Sequence, residues 1–341
     1  MATLTSSLIV RLLDGVTAPA RKVAESLRGI GSAVDAVNTR PFSARIGDAV
    51  AANNEKMAEA RGKMMDAAEK FSTMLEDIGQ KADIPIERLG DLGKSIKKVA
   101  KDTNQSAFEI GKSVDFLLGM GASEEASLGM SGPIGKAATA YRAATEEMAK
   151  SAFAVHDNLK VPVEEVALAL DAMAKAGKEG GFELRDMANE FPEITAAAQS
   201  LGMTGVKSVA DLTAALEVAR KGAGTGAEAA TNLKAFLNNL VSRETIANFK
   251  KFGISVTEEL DAAAKAGGSP VEHMIGVIDK ATKGGKADLL AKLFGRKEAL
   301  QFIRPMLQNT REYVRIRNEA LAAQGTVERD YERRLQTHGA R

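Results

Sequence analysis

The stretch VAANNEKMAEARGKMMDAAEKFSTMLEDI, residues 50–78, decides the fold class of this 341-residue chain. Apolar side chains recur in it at every seventh residue, at Val50, Met57, Met64, Phe71 and Ile78, and we call these five residues the heptad seam. The residues three positions further on are Asn53, Ala60, Ala67 and Met74. This a/d heptad pattern predicts one long helix over about 42–79. Two roles remain open for it: a coiled coil whose seam binds another copy of the chain, or an amphipathic helix packed on its own domain.

Beyond residue 82 the sequence predicts shorter helices with recognisable first residues. Capping-box spacing marks the starts at Ser106, Ser255 and Ser269. Ser269 is also followed by a proline, which suits the first helical position. The further capping candidates are Ser123, Ser208, Thr225, Gly226 and Ser242.

Prolines and glycines predict where these helices stop. Pro133 lies in the glycine-containing stretch 129–135, which we therefore expect to be a loop or a helix break. Pro192 is expected to begin a helix, and Pro305 is expected to interrupt one. Gly295 and Gly325 are expected to mark further breaks.

The pattern as a whole predicts an all-α protein, because strand signals are nearly absent. The one strand candidate, residues 8–12, is also compatible with a short helix. Because alanine is abundant and buries little area, we expect a bundle held together by little free energy per residue. The four expected parts are an N-terminal segment at 1–41, the long heptad helix or coiled coil at 42–82, a bundle of short helices at 83–310 and a charged helical tail at 311–341.

Composition excludes several classes of protein. There are 46 Lys+Arg and 45 Asp+Glu, which gives a formal net charge of +1, whereas a dedicated nucleic-acid binder usually has a strongly basic face. Without cysteine there is no disulfide framework, no thiol nucleophile and no cysteine zinc site. No run approaches the ~20 apolar residues of a membrane helix. The start lacks the basic region of a secretory signal, so we expect a soluble chain.

The sequence offers no catalytic, metal or cofactor site. His156, His273 and His338 are too far apart to pair at metal-ligand spacing. Of the four Glu-Glu pairs, three fit first helical turns, where the helix dipole favours negative charge. The glycine-rich stretch 222–226 follows a helix and lacks phosphate-loop spacing, so it is expected to be a joint before the next helix. We therefore predict that the chain is not an enzyme.

Four passages of the expected bundle follow one another in a recognisable order of helices and turns. They are LALDAMAKAGKEGGFELRDMANEFPEITAAAQSLG (168–202), GAGTGAEAATNLKAFLNNL (222–240), FKKFGISVTEELDAAAKAGGSPVEHM (249–274) and LLAKLFGRKEALQFIRPML (289–307). From about residue 83 to 307 this order resembles the core region of phage tail tape measure proteins, of the type found in lactococcal siphophages and many prophages. No single motif is specific, but their order and spacing extend over about two thirds of the chain.

The resemblance implies a structural role in a phage tail. Tape measure proteins occupy the lumen of the tail tube as extended helices, in a few copies, and set tail length during assembly. The implied partners are other copies of the chain, the tail tube protein, tail assembly chaperones and tail tip or baseplate proteins. The resemblance implies no small-molecule substrate and only indirect contact with nucleic acid. The implied location is the virion tail, after synthesis in the host cytoplasm.

Three questions stay open on the sequence alone. Tape measure proteins are usually much longer, so the chain is either a fragment or a short member of that family. A generic helical scaffold or chaperone-like binding protein would show the same helical pattern. A membrane-active helical toxin would need a longer apolar hairpin than residues 116–141 offer.

Overall fold

A computed structural model describes residues 40–179 and 181–339, and over these ranges the chain is all-α, as predicted. The described residues contain sixteen α-helices, a 3₁₀ turn at Val163–Glu165 and no strand. The strand candidate at 8–12 and nearly all of the predicted segment 1–41 lie outside them. The helices are α1 (Arg40–Lys81), α2 (Ile86–Asp102), α3 (Ala107–Gly119), α4 (Glu124–Tyr141), α5 (Thr145–Asn158), α6 (Val166–Gly177), α7 (Leu184–Gln199), α8 (Gly205–Arg220), α9 (Gly226–Leu240), α10 (Arg243–Lys251), α11 (Val256–Lys265), α12 (Pro270–Ala281), α13 (Ala287–Leu293), α14 (Lys297–Gln308), α15 (Thr310–Leu321) and α16 (Thr326–Gly339).

Contacts within the chain divide it into two units, residues 1–70 and 71–341. The described part of the first unit is the stretch 40–70 of α1, in which most side chains from residue 51 onward are exposed. The second unit contains the remaining helices and two buried apolar clusters. The predicted boundaries after residues 82 and 310 stay predictions.

Six predicted helix starts are confirmed by the hydrogen bonds that cap them. In each, a hydroxyl oxygen accepts a hydrogen bond from the backbone N–H three residues on, over 3.1 to 3.4 Å. Such a bond satisfies one of the four N–H groups that a helix leaves unpaired at its start. The capping residues are Ser106, Ser123, Thr225, Ser242, Ser255 and Ser269.

The predictions for three prolines are wrong, because Pro133, Pro192 and Pro305 lie inside α4, α7 and α14. A proline inside a helix removes a backbone hydrogen bond and costs about 3 kcal/mol. Burial of neighbouring apolar side chains offsets that cost. The buried neighbours are Ile134, Phe191, Ile194, Ile303 and Met306. In α4 the preceding residue is also a glycine, which lacks the Cβ that a proline ring crowds.

Close packing, not a helix break, explains two glycines of the stretch 129–135. A Cβ on Gly135 would lie 2.6 Å from Thr103 Oγ1, and one on Gly129 would lie 2.7 Å from Val163 Cγ1. Both distances are far below van der Waals contact. The backbone of α4 therefore approaches its neighbours at these positions because the side chains are absent.

Helix α8 is the central helix of the second unit. It begins at Gly205, so the prediction that Ser208 opens it is wrong. The Ser208 hydroxyl instead donates to the carbonyl oxygen of Thr204 over 2.8 Å, as hydroxyls inside helices often do. Every residue from Ser208 to Ala219 is buried, because α6, α9, α14 and α15 all pack against α8. A helix buried on all sides has no polar face, and its start is therefore hard to read from the sequence.

The core contains two regions that are built differently. In α4, α5 and α6, which we call the alanine layer, ten of the buried apolar residues are alanines, and the one phenylalanine, Phe153, is partly buried. The second region is the phenylalanine cluster, formed by Phe236, Phe249, Phe294 and Phe302. Its ring centroids lie 4.7 Å apart for Phe236–Phe302 and 5.6 Å apart for Phe249–Phe294. The alanines are Ala137, Ala138, Ala140, Ala149, Ala152, Ala154, Ala169, Ala172, Ala174 and Ala176.

The predicted charged tail packs against the other helices of the second unit. Helix α15 contacts α6 and α8, and α16 contacts α4 and α6. Tyr313 and Ile316 of α15 and Tyr331 of α16 are buried. The described residues of the tail thus belong to the packed structure of this unit.

Candidate functional site

The members of the heptad seam have different environments. Phe71 and Ile78 are buried in an apolar cluster that includes residues of α2 and α3. Val50 and Met57 are partly exposed, and Met64 is 54% exposed. Self-association through the seam stays a prediction. In the first unit, the apolar surface of the seam consists of Val50, Met57 and Met64.

A buried polar junction joins α8, α12 and α15. The Tyr313 hydroxyl donates to Asp211 Oδ1 over 2.9 Å and lies 2.9 Å from the Ser269 hydroxyl. Arg317 Nη1 lies 3.6 Å from Asp211 Oδ1 and also pairs with Glu272. Burial raises the pKa of Asp211 to about 6, although hydrogen bonds from Ser269 and Tyr313 lower it. These directed contacts fix the position of α15 on the central helix.

A second polar junction fixes the start of α16. Asp171, on α6, accepts hydrogen bonds from the backbone N–H groups of Gly325 and Val327, both over 2.7 Å. Burial raises the pKa of the Asp171 carboxyl, whereas these two N–H groups lower it. Asp330, one turn further along α16, pairs with Lys178 over 2.6 Å. The Asp171 carboxylate of α6 therefore caps the start of α16, which lies more than 150 residues later in the sequence.

Glu217 places a third carboxyl group inside the unit, on the same helix as Asp211. Both of its oxygens are buried, and no group in the described residues makes a well-aligned hydrogen bond with them. Burial raises the pKa of Glu217 to about 8, while the nearby backbone N–H groups of Phe182 and Gly181 lower it. Glu217 is therefore mostly protonated in the folded chain at neutral pH.

The histidines have local partners. His156 Nδ1 lies 2.7 Å from the carbonyl oxygen of Val161, and His273 Nε2 lies 2.6 Å from Glu259 Oε2. The side chain of His338 lies outside the described residues. Over residues 40–179 and 181–339, no group of three or more His, Asp or Glu side chains is arranged to hold a metal ion.

The other sequence candidates have structural roles. The glutamate pairs at 124–125, 146–147 and 258–259 lie in the first turns of α4, α5 and α11. In the stretch 222–226, Thr225 caps α9, and a Cβ on Gly222 would overlap the ring of Pro305. Helix capping and close packing therefore account for these residues.

An open groove of about 930 Å³ lies along α11 and α12, near the end of α14. Small residues such as Ala263 and Gly276 line it together with the Glu259–His273 pair. The groove thus mixes apolar and charged walls. Among the described helices, none has the length and apolar composition to cross a lipid bilayer.

The fold and these polar junctions define the class of protein. Its buried ionisable groups connect helices: Asp211 holds α15, and Asp171 caps α16. The sequence did not predict either junction, because each joins residues more than a hundred positions apart. The arrangement is that of an all-α protein in which buried polar contacts join helices that are distant in sequence.

Comparison with known proteins gives the family. Residues 93–295, more than half of the chain, match the family model of phage-related minor tail proteins. The chain is 28% identical over 296 residues to a probable tape measure protein of Burkholderia phage BcepMu, and the match covers 79% of this chain and 35% of that relative. No solved structure matches the chain. The chain belongs to the family of phage-related minor tail proteins, and the predicted resemblance to tape measure proteins is confirmed. It is a structural protein of the phage tail.

Proposed function

We propose that this chain acts as a tape measure: it occupies the lumen of the tail tube and sets tail length during assembly. The observation that carries the proposal is the match to a probable tape measure protein over 79% of the chain. The chain spans about a third of that relative's length, 35%, so the proposal concerns the corresponding part of such a protein. In this role it acts without catalysis. Its proposed partners are other copies of the chain, the tube protein, assembly chaperones and tail tip or baseplate proteins, and its contact with nucleic acid is indirect.

Helix geometry supports a ruler made from such a chain. A helix rises 1.5 Å per residue, so 341 residues in one extended helix would span about 510 Å. A compact bundle measures far less, and the proposal therefore requires the second unit to open inside the tube. Two features lower the free energy of that opening: the small buried area of the alanine layer and the two acids of α8, Asp211 and Glu217.

An in-frame deletion of residues 51–64 tests the length-setting role. It removes two heptads and keeps the register of α1, so the remaining helix retains its seam. A ruler shortened by this segment should give tails shorter by about 21 Å, which is its length as a helix. The measurement is tail length in averaged electron micrographs of virions assembled with the deleted chain.

A tandem duplication of the same segment is the matched control. It should lengthen tails by the same amount, because it adds the residues that the deletion removes. If virions with the deletion and the duplication have tails of normal length, α1 does not contribute to a ruler and the proposal fails for this segment.

A further inference from the structure

Helix α1 separates its charges by sign around the heptad seam. In a heptad, the e and g positions flank the seam, whereas b, c and f lie on the far side. Between residues 50 and 70 the charged residues at e and g are all basic: Lys56, Arg61, Lys63 and Lys70. The charged residues at b, c and f are all acidic: Glu55, Glu59, Asp66 and Glu69. The numbers of basic and acidic residues are equal, so the arrangement polarises the helix without giving it a net charge.

These side chains face solvent in the structure. All eight charged residues are exposed. Lys63 keeps 76% of its side chain exposed although its Nζ lies 2.6 Å from Glu59 Oε1. Met64 is 54% exposed between the two basic flanks. We call this surface the basic-rimmed seam: Val50, Met57 and Met64 with Lys56, Arg61 and Lys63.

A second copy of the chain fits the basic-rimmed seam poorly. In a parallel pair, the g residue of one helix meets the e residue of the next heptad in the other, which brings Lys56 to Arg61. In an antiparallel pair, g residues meet g residues and e residues meet e residues, which brings lysine to lysine. Either orientation places like charges side by side across the interface, and such contacts oppose association.

We propose that the basic-rimmed seam binds an α-helix of another protein that carries an apolar heptad stripe flanked by acidic residues. The apolar stripe of such a helix would cover Met57 and Met64, and its carboxylates would pair with Lys56, Arg61 and Lys63. Opposite charges at the e and g positions set the choice of partner in coiled coils. The inference does not depend on the length-setting role.

The same residues argue against other occupants of this surface. Helices that lie in a membrane interface usually present tryptophan, phenylalanine or leucine, whereas this stripe is made of valine, methionine, alanine and one asparagine, Asn53. Surfaces that bind single-stranded nucleic acid combine positive charge with stacking aromatics, and residues 50–70 contain no aromatic residue. The acidic far side of the helix would also repel a phosphate backbone.

Binding of two designed peptides by the full chain tests the proposal. Both peptides have about four heptads with leucine at a and d. One has glutamate at every e and g position and the other has lysine. The chain contains no tryptophan, so a single tryptophan in the peptide reports binding by fluorescence. We expect the acidic peptide to bind about tenfold more tightly than the basic one, and the difference to shrink at ~1 M salt, where charge interactions are screened within about 3 Å.

Two triple variants identify the residues responsible. The variant Lys56→Glu, Arg61→Glu, Lys63→Glu should reverse the preference, so that the basic peptide binds more tightly. The matched control Glu55→Lys, Asp66→Lys, Glu69→Lys changes the same number of exposed charges on the far side and should keep the preference for the acidic peptide. Circular dichroism of both variants shows whether they remain folded.

Three results would overturn the proposal. The first is equal affinity for the two peptides. The second is a dimer of the unmodified chain in sedimentation that Met57→Ala with Met64→Ala dissociates, since it would assign the seam to a second copy. The third is binding to vesicles of phosphatidylglycerol, or to single-stranded DNA, that the Lys56, Arg61 and Lys63 variant abolishes while neither peptide binds. None of these results would alter the tail-length experiment.

Discussion

The alanine layer and the phenylalanine cluster belong to the same unit but are packed by opposite means. In the alanine layer the side chains are small or absent and leave room for close approach, as where Gly135 of α4 lies against Thr103 at the end of α2. In the phenylalanine cluster the space between helices is filled by large rings, with Phe236 and Phe302 4.7 Å apart. Where backbones pack closely, a larger side chain has no space and destabilises the fold. Where large rings fill the core, a smaller side chain leaves a cavity and destabilises the fold.

The difference indicates where the unit resists opening. A buried phenylalanine contributes far more apolar area than a buried alanine. Each buried side chain of the cluster therefore contributes more to holding α9, α10 and α14 together than each buried alanine contributes to holding α4, α5 and α6 together. If the bundle opens in the tail, we expect the helices of the alanine layer to separate before those of the phenylalanine cluster.

The largest expected effect follows from emptying the phenylalanine cluster. Phe302→Ala removes a fully buried ring that packs against Phe236, and it should lower the free energy of unfolding by about 3–5 kcal/mol. The measurement is urea unfolding followed by circular dichroism. Phe153→Ala, in the alanine layer, is the matched control and should cost less, because its ring is only partly buried. Equal losses for both variants would remove the distinction between the two regions.

An intermediate effect is expected at Glu217, on the central helix that contacts α6 as well as α9 and α14. The pKa of Glu217 is about 8 in the folded chain and 4.5 for an ordinary glutamate. Between these values the folded chain holds a proton that the unfolded chain has released, so stability falls as pH rises. Glu217→Gln removes this loss: its stability should match that of the unmodified chain near pH 4.5 and exceed it by about 3 kcal/mol near pH 7.

The measurement for Glu217 is the free energy of unfolding in urea across that pH range. Glu193→Gln is the control, since 65% of the Glu193 side chain is exposed and it pairs with Lys234 at the surface. Its curve should run parallel to that of the unmodified chain. A parallel curve for Glu217→Gln as well would show that burial does not perturb this carboxyl group.

The smallest effect comes from adding one methyl group to the alanine layer. In Gly135→Ala the new Cβ would lie 2.6 Å from Thr103 Oγ1, and we expect a loss of about 1–3 kcal/mol in the free energy of unfolding. Gly90→Ala, where nothing lies within 4 Å of the new Cβ, should instead raise it by up to about 1 kcal/mol, because alanine favours helix. Thermal unfolding compares the two variants. If Gly135→Ala raised the free energy of unfolding, the packing around Gly135 would have to contain space for a methyl group, contrary to the prediction.

Local signals in the sequence predicted the helices well, because their causes are local. A serine hydroxyl caps a helix through a bond to the N–H three residues on, as at Ser106 and Ser269, so both partners are visible in one short stretch. The predictions for the prolines were wrong because a proline removes a hydrogen bond within its own helix, whereas the burial that offsets this loss involves residues of other helices. Pro305 remains inside α14 since the neighbouring residues Phe302 and Met306 are buried against other helices.

The polar junctions could not be predicted from the sequence. Asp211 and Tyr313 are 102 residues apart, and nothing in the pattern around either residue marks it as the partner of the other. Nothing in the sequence around Glu217 distinguishes it from an exposed glutamate on a helix surface, so its burial could not be predicted. The low stabilisation per residue that the alanine content predicts for the bundle stays a prediction. The four rings of the phenylalanine cluster could not be predicted from the sequence, because they meet only when the chain folds. The separation of charge along α1 was readable from the sequence, since it follows from heptad positions alone.

The cap that Asp171 places on α16 has a consequence for the order of folding. Its two hydrogen bonds span 154 and 156 residues, so they close one of the longest loops in the described chain. Contacts of such separation form late, because the entropy of loop closure is lost before they contribute. On the ribosome the residues of α16 emerge after those of every other described helix. Docking of α16 onto α6 is therefore expected to be the last step of folding, and its detachment the first step of disassembly.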